Sequence, residues 1–374
     1  MRRLTYCTNI HPGESWADAR ANLEAHLLGV KAAVAPEVPF PIGLRLSGQA
    51  VAEIDDAEAQ RFQAWCEENG TYVLTVNGFP HGRFHGVSVK EKVYDPDWRD
   101  PVRAKYTNAI ADRLVQWLPG DAPGSISTVP IAWAPSFQEA DWPAVRANVL
   151  TVVDHLDALA QSSGKALILA FEPEPGCVVE TTSQAIELFE RLALPQDRVR
   201  YAGLCYDCCH QAVQFEDPID SFGRIEAAGI PIGKIQVSSS LRARGDEIPN
   251  LRAFDEPTYL HQVVARDVDG GLHRASDLPV FFGEGGGASD GPALEECRVH
   301  FHVPIFADHL GPCGTTRFFL EELLPRIDPG IALEVETYSF DVLPAELRTD
   351  SVTESLAREL IWAEQRCHAS NRRT

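Results

Sequence analysis

Along the whole chain a short apolar or period-two run is followed by a capped helical segment, and no other property of the sequence restricts its fold as much. The first unit is a strand at 4–9 and a helix opened by Ser15, with Asp18 three residues on as in a capping box. The second is a strand at 42–46 and a helix at 55–69, with Gly70 where a helix-terminating glycine belongs. Strands three to six are read at 72–77, 126–131, 166–171 and 199–206, and the helices after them at 101–117, 141–163, 182–192 and 217–228. Strand eight is read at 331–337, before a final helix at 349–370. Unit seven offers two strands, 232–237 and 299–306, separated by a stretch rich in Gly and Pro; the first is assigned to the sheet and the second to an excursion.

Such alternation, with no hairpin signal recognised, implies parallel strands, and eight units close naturally into a barrel. An open doubly wound sheet would carry a glycine-rich turn after its first strand. Here that turn reads Asn9-Ile-His11-Pro-Gly13-Glu-Ser15, with no GxGxxG. The expectation is a single α/β domain over residues 1–374, a (β/α)8 TIM barrel, with an insertion at 240–298 over its carboxyl-end mouth.

Composition narrows the partners. A hydrophobic content of 44% suits a large folded core. No apolar run is long enough to span a bilayer, and two arginines near the start precede no hydrophobic signal core, so membrane insertion is not expected and a cytoplasmic location is. The 9 cysteines, an odd number scattered from Cys7 to Cys367, read as reduced thiols. With 33 basic against 54 acidic residues the net charge is -21, which repels nucleic acid.

In a barrel the chemistry sits where strands finish. Strand five ends in Glu172-Pro-Glu174, strand six in Asp207-Cys-Cys-His210, strand seven in Lys234-Ile-Gln236 and strand eight in Glu334-Val-Glu336. Alternation places Ile168, Ala170 and Glu172 on one face, and Gly203, Cys205 and Asp207 likewise. If both faces look inward, several carboxylates converge, and such a gathering invites a cation. Taken singly, Glu172 is as well explained by an arginine partner, and Asp207 with His210 by a turn cap beside a surface imidazole. Glu334 and Glu336 share a face, and spacing alone does not choose between them. Cys205, Cys208, Cys209 and His210 are zinc-ligand types, but no second pair completes a zinc knot.

At these residues the chain resembles the xylose-isomerase-like barrel superfamily, which holds sugar isomerases, ketose 3-epimerases, inosose-processing enzymes and the endonuclease IV group. Glu172, Asp207 followed by His210, and Glu336 match its pattern. Gln236 stands where a histidine is usual, and the segment 298–304 offers His302, or next His300, as the missing imidazole. The resemblance implies one divalent ion (Mn, Mg, Zn or Co) on Glu172, Asp207, Gln236, His302 and Glu336. A nearer resemblance, to the EboE-type metabolite-traffic family, spans most of the chain through residues 4–13, 77–85, 298–304, 333–338 and 343–344.

The implied activity is isomerisation or epimerisation of a sugar, polyol or cyclitol, with phosphorylation of the substrate left open. Glu172 and Glu336 would move the proton from opposite sides, and His210 would position the substrate. Asn77, His81 and His85 of the loop after strand three, with Glu174 and His300, are the expected substrate contacts. The Gly-rich run at 283–287 reads as a phosphate cradle or a lid hinge. A multi-metal phosphoester hydrolase and a non-catalytic metabolite carrier are the rival functions, and homodimerisation stays open.

Overall fold

The computed structural model describes residues 3–120, 123–283, 293–343, 348 and 351–368. Seven strands come first in the chain: β1 (Leu4–Tyr6), β2 (Phe40–Arg45), β3 (Thr71–Asn77), β4 (Gly124–Thr128), β5 (Leu167–Phe171), β6 (Ala202–Asp207) and β7 (Ile232–Val237). Six more follow, β8 (Ser240–Arg244), β9 (Val263–Asp267), β10 (Leu272–Ala275), β11 (Leu294–His302), β12 (His309–Leu310) and β13 (Cys313–Thr315), before β14 (Leu333–Val335). β1 to β7 and β14 form one parallel sheet in the order β1-β14-β7-β6-β5-β4-β3-β2. A parallel bridge between Cys7 and Gly43 joins its two ends, so the sheet is a (β/α)8 barrel.

The helices start where local chemistry starts them. Ser15 and Thr181 make full capping boxes with Asp18 and Gln184, and Asp55, Asp100 and Asp217 cap their helices by accepting backbone N–H bonds. The long helix Trp142–Ser163 ends at Gly164, whose φ of 74° is the left-handed geometry that a side chain resists. Val145, Val149, Val152, Val153 and Leu156 on that helix are buried, a stripe at helical spacing turned to the sheet.

Several expected boundaries move. β6 begins at Ala202 rather than 199, because Val199–Tyr201 winds into a 3-10 turn, and Thr8–Ile10 does the same after β1. β4 runs earlier than 126–131: the chain has already turned when it reaches Ile131, which sits at φ 76°. β14 is only three residues long, and the last helix is Val352–Cys367, the outer residues of the expected 349–370 lying outside the described ones.

The largest correction concerns hairpins. β8 to β13 build a second, antiparallel sheet in the order β10-β9-β11-β8-β13-β12. The segment read as 299–306 starts within the long strand β11, which ends at His302. Leu241, Ala243, Val263, Ala265, Cys297, Val299 and Phe301 alternate onto one buried face and pack with Leu251, Phe254 and Leu278 as a core of their own. The signal was present at Asp269-Gly270, where the β9–β10 turn puts Gly270 at φ 88°.

Inside the barrel, Lys234 of β7 and Glu334 of β14 form a fully buried ion pair 2.5 Å long. Gly43 of β2 makes room for it, since a Cβ there would collide with the Glu334 carboxylate.

Candidate metal centre and pocket

The layer above that pair, at the ends of the strands, is acidic. Glu172 follows β5, Asp207 ends β6 and Glu336 follows β14, and their carboxylate oxygens lie within 4.8 Å of one another. Asp207 also caps the short helix Cys208–Val213. Its Oδ1 accepts from the His210 backbone N–H at 2.8 Å and from the Ser238 hydroxyl at 2.8 Å, which leaves Oδ2 without a partner. Glu336 Oε1 accepts from the Asn9 amide at 2.7 Å and the Asn77 amide at 3.2 Å. Glu172 Oε2 has no partner.

The nitrogen side of the cluster comes from β11. Asp207, His210 and His302 form a second group of potential ligand atoms within 4.8 Å of one another, and Cys209, His300 and His302 a third. His302 Nδ1 faces the Glu336 backbone carbonyl at 2.9 Å. A carbonyl only accepts, so the proton belongs on Nδ1 and the unpartnered Nε2 presents its lone pair. Gln236 pairs in register with Asp207 and Glu334; it shares the inward face of β7 with Lys234, fully buried, and neither its amide oxygen nor its nitrogen has a partner.

Electrostatics agrees with the unpaired atoms. Burial, then the charges of Glu336 and Asp207, hold the Glu172 carboxyl well above the usual carboxylate range. Burial, then Asp207 and Glu334, do the same to Glu336. Burial pushes His302 down to about 4, against the pull of Asp207, so its imidazole is neutral. A neutral imidazole and carboxylates that resist ionisation while nothing neutralises them are the state expected of ligands waiting for a cation.

Next to the cluster, His210 Nδ1 faces the Pro173 carbonyl at 2.8 Å and His300 Nδ1 faces the Gln262 amide oxygen at 2.8 Å. Both protons therefore sit on Nδ1, and the two Nε2 atoms meet at 3.0 Å, with the Tyr338 hydroxyl beside them, 3.4 Å from His300 Nε2. Glu174 accepts from the Tyr94 hydroxyl at 2.7 Å; burial raises its pKa, against the pull of His210 and the hydrogen bonds of Tyr94 and Gln262.

Glu172, Glu174, His210, His300 and Glu336 line one pocket of about 60 Å³ that opens to solvent; Asp207, Gln236 and His302 are not among its lining residues. Of the residues expected to touch substrate, Asn77, Glu174 and His300 line it, as do Glu172, His210 and Glu336. His81 and His85 do not. His81 packs edge-on against Tyr106, 4.8 Å between centroids, and His85 lines a different cavity with Glu14, Asp18 and Arg83. A loop has no periodicity from which the facing of its side chains can be read, so Phe79 and Phe84 turn to the pocket while the two histidines between and beyond them turn away. Sequence reading passed over Asn9, which the strand-end rule applied to β1 points to, and Tyr94, Tyr259 and Gln262, for which it had no signal. Residues 284–287 of the glycine-rich run, and Pro344, lie outside the described residues.

The pattern of the Xylose isomerase-like TIM barrel family matches residues 37–290. The chain belongs to that family. Solved barrels of similar fold include a xylose isomerase-like TIM barrel protein from Mycobacterium smegmatis in complex with magnesium, with a TM-score of 0.52 at 11% identity over 99% of this chain and 98% of the other. The IOLI protein with a binding zinc atom superposes with a TM-score of 0.51 at 13% identity, covering 99% of both chains. L-ribulose 3-epimerase gives 0.51 at 13% identity, over 100% of this chain and 96% of its own. No curated protein matches the sequence. At such identities the likeness is one of fold. Among the described residues of this xylose isomerase-like barrel, no helix is long and apolar enough to cross a membrane.

Proposed function

We propose that the protein is a divalent-metal-dependent isomerase or epimerase of a sugar, polyol or cyclitol. The observation that carries the reading is the set of buried acceptors without protein partners on Glu172, Asp207, Gln236 and His302, beside Glu336. Hard oxygen donors with one neutral imidazole fit a divalent ion of the Mg, Mn, Co or Zn kind. Glu172, Asp207, Glu336 and His302 would hold it, with the Gln236 carbonyl oxygen as a fifth donor. The ion would supply Lewis-acid polarisation of a substrate carbonyl.

The chain's own residues supply the rest. Glu172 and Glu336 approach the pocket from different strands, so each is placed to take or return a proton on its own side of a bound carbon. Asn9 and Asn77 fix the Glu336 carboxylate by holding one of its oxygens. The facing Nε2 atoms of His210 and His300 are acceptors for a substrate hydroxyl. A phosphoester hydrolase of nucleic acid fits less well, given a net charge of -21 and the acidic floor of the pocket. Membership in the EboE-type metabolite-traffic group is part of this proposal and rests on the sequence resemblance.

The test joins metal analysis to solvent exchange. Purified protein should carry a divalent ion, and with ketoses in D2O it should place deuterium on the carbon next to the carbonyl. Glu172→Gln should weaken metal binding by at least about 100-fold, beyond the effect of losing an outer-shell partner, and abolish exchange. A barrel that binds no divalent ion, and whose affinity for sugars is unchanged in Glu172→Gln, would overturn the proposal in favour of a carrier.

A further inference from the structure

The pocket is chemically divided. Its floor is the polar cluster just described; its walls and roof are apolar and come from three separate chain segments. Phe79, Phe84, Val89 and Val93 belong to the stretch after β3, Tyr259 and Leu260 to the insertion before β9, and Tyr338 to the turn after β14. Phe84, Tyr259 and Tyr338 meet as a triad with ring centroids 5.0 to 5.4 Å apart. Together with Val89 they form a hydrophobic cluster separate from both the barrel core and the core of the antiparallel sheet.

Apart from the proposed metal at the floor, no free cation lines the pocket among the described residues. Lys90 is the one cation among the described lining residues, and its ammonium is engaged by Asp277 at 2.6 Å, the Tyr259 carbonyl at 2.7 Å and the Glu256 carbonyl at 3.5 Å. Arg45, 5.8 Å from the Phe84 ring, is tied to Glu14 and to the carbonyls of Gly13 and Gly82. With the metal end of the substrate at the floor, a phosphate at its far end would find no free cation of the chain among the described lining residues. A bare sugar offers one C–H face to a ring, and its other hydroxyls would face mostly aliphatic and aromatic carbon, with the Tyr259 and Tyr338 side chains the polar-tipped residues of that roof.

We infer that the substrate is a neutral polyol or ketose whose far end continues into an apolar or aryl group, and that it is not a phosphate ester. This rests on the proposed metal-dependent reading: the polyol end belongs at the acidic floor, and the apolar end at the Phe84, Tyr259 and Tyr338 roof. Burying a phenyl-sized group there at roughly 25 cal/mol per Å² is worth one to two decades of affinity, each decade about 1.4 kcal/mol.

The test compares three ligand classes by calorimetry on the full chain loaded with Mg2+ or Mn2+: free ketohexoses, their 6-O-benzyl ethers and their 6-phosphates. The benzyl ethers should bind at least about tenfold tighter than the free sugars, and the phosphates at least about tenfold weaker. Phe84→Ala should remove most of the benzyl advantage while leaving the free sugars within about twofold. Because the ligand comparison is read on the unaltered protein, a poorly folded variant would not blunt it. Free sugars that bind as tightly as their benzyl ethers, or phosphates that bind best, would overturn this inference and leave the metal-dependent reading intact. Metal-loaded protein that binds none of the three classes would overturn both.

Discussion

Two layers of the barrel interior, one residue pair apart on the same strands, treat charge in opposite ways. In the lower layer Lys234 on β7 meets Glu334 on β14, both fully buried and joined at 2.5 Å. In the upper layer Gln236 and Glu336 continue those strands, and there the chain supplies three carboxylates and no cation of its own. The lower layer shows that this sequence can place an ammonium against a buried carboxylate when a charge needs only to be neutralised. Leaving the upper layer without one is therefore a property of the site, and on the proposed reading an outside cation would belong there. The desolvation of both layers is comparable; what differs is who provides the counter-charge.

The sharpest way to break this comparison is Lys234→Met. Burial works against the Lys234 charge, but Glu334 more than restores it and holds the ammonium above its ordinary range. Removing it strands Glu334 in the barrel, and a broken buried pair costs about 3–5 kcal/mol. Urea unfolding should show that loss with or without added metal. A loss below about 1 kcal/mol would mean that the lower layer is not internally balanced, and the contrast would fail.

The upper layer predicts the opposite sign. Because the folded-state pKa of Glu336 is raised, chiefly by burial, its contribution to stability is full below its unfolded value of about 4.3 and is lost as pH rises through the raised value. His302, pushed down to about 4, runs the other way, its stability rising with pH from about 4 to its unfolded value of about 6.5. Above pH 6.5 only the carboxylate slope remains of the two. Metal-free Glu336→Gln should therefore be more stable than the unaltered protein at pH 8, by about 1 kcal/mol, with a shallower fall from pH 7 to 9. Metal should stabilise the unaltered protein far more than the variant. Thermal melts in chelator and in excess Mn2+ at three pH values would read all of this, and a metal-free variant less stable at pH 8 would sink it.

Legibility in the sequence followed periodicity. Glu172 and Asp207 could be placed because strand alternation fixes which side chains share a face, and the same rule gathered Gln236 and both Glu334 and Glu336. It could not tell Glu334 from Glu336, since both face inward; the partners decide, Lys234 closing an ion pair with Glu334 while Glu336 joins Glu172 and Asp207. His302 entered the sequence reading through resemblance alone, its strand β11 belonging to a sheet whose hairpins went unrecognised. From the same insertion Tyr259 reaches the pocket and Gln262 holds His300. Loop residues such as His81 and His85 carried the right chemistry and the wrong facing, for want of any repeat to orient them.

The smallest expected effect sharpens the comparison most finely, because it concerns the one upper-layer donor that departs from the superfamily pattern. Gln236 sits above Lys234 with both amide atoms unpartnered. A carboxamide oxygen suits Mg2+ and Mn2+ better than Zn2+, whereas imidazole reverses that order. Gln236→His should therefore raise zinc affinity by about tenfold relative to magnesium. Competition of the two ions for the purified variant, read by metal content after dialysis, gives the ratio directly. An unchanged ratio with unchanged stability would place Gln236 outside the coordination shell, and the cation would then rest on Glu172, Asp207, Glu336 and His302 alone.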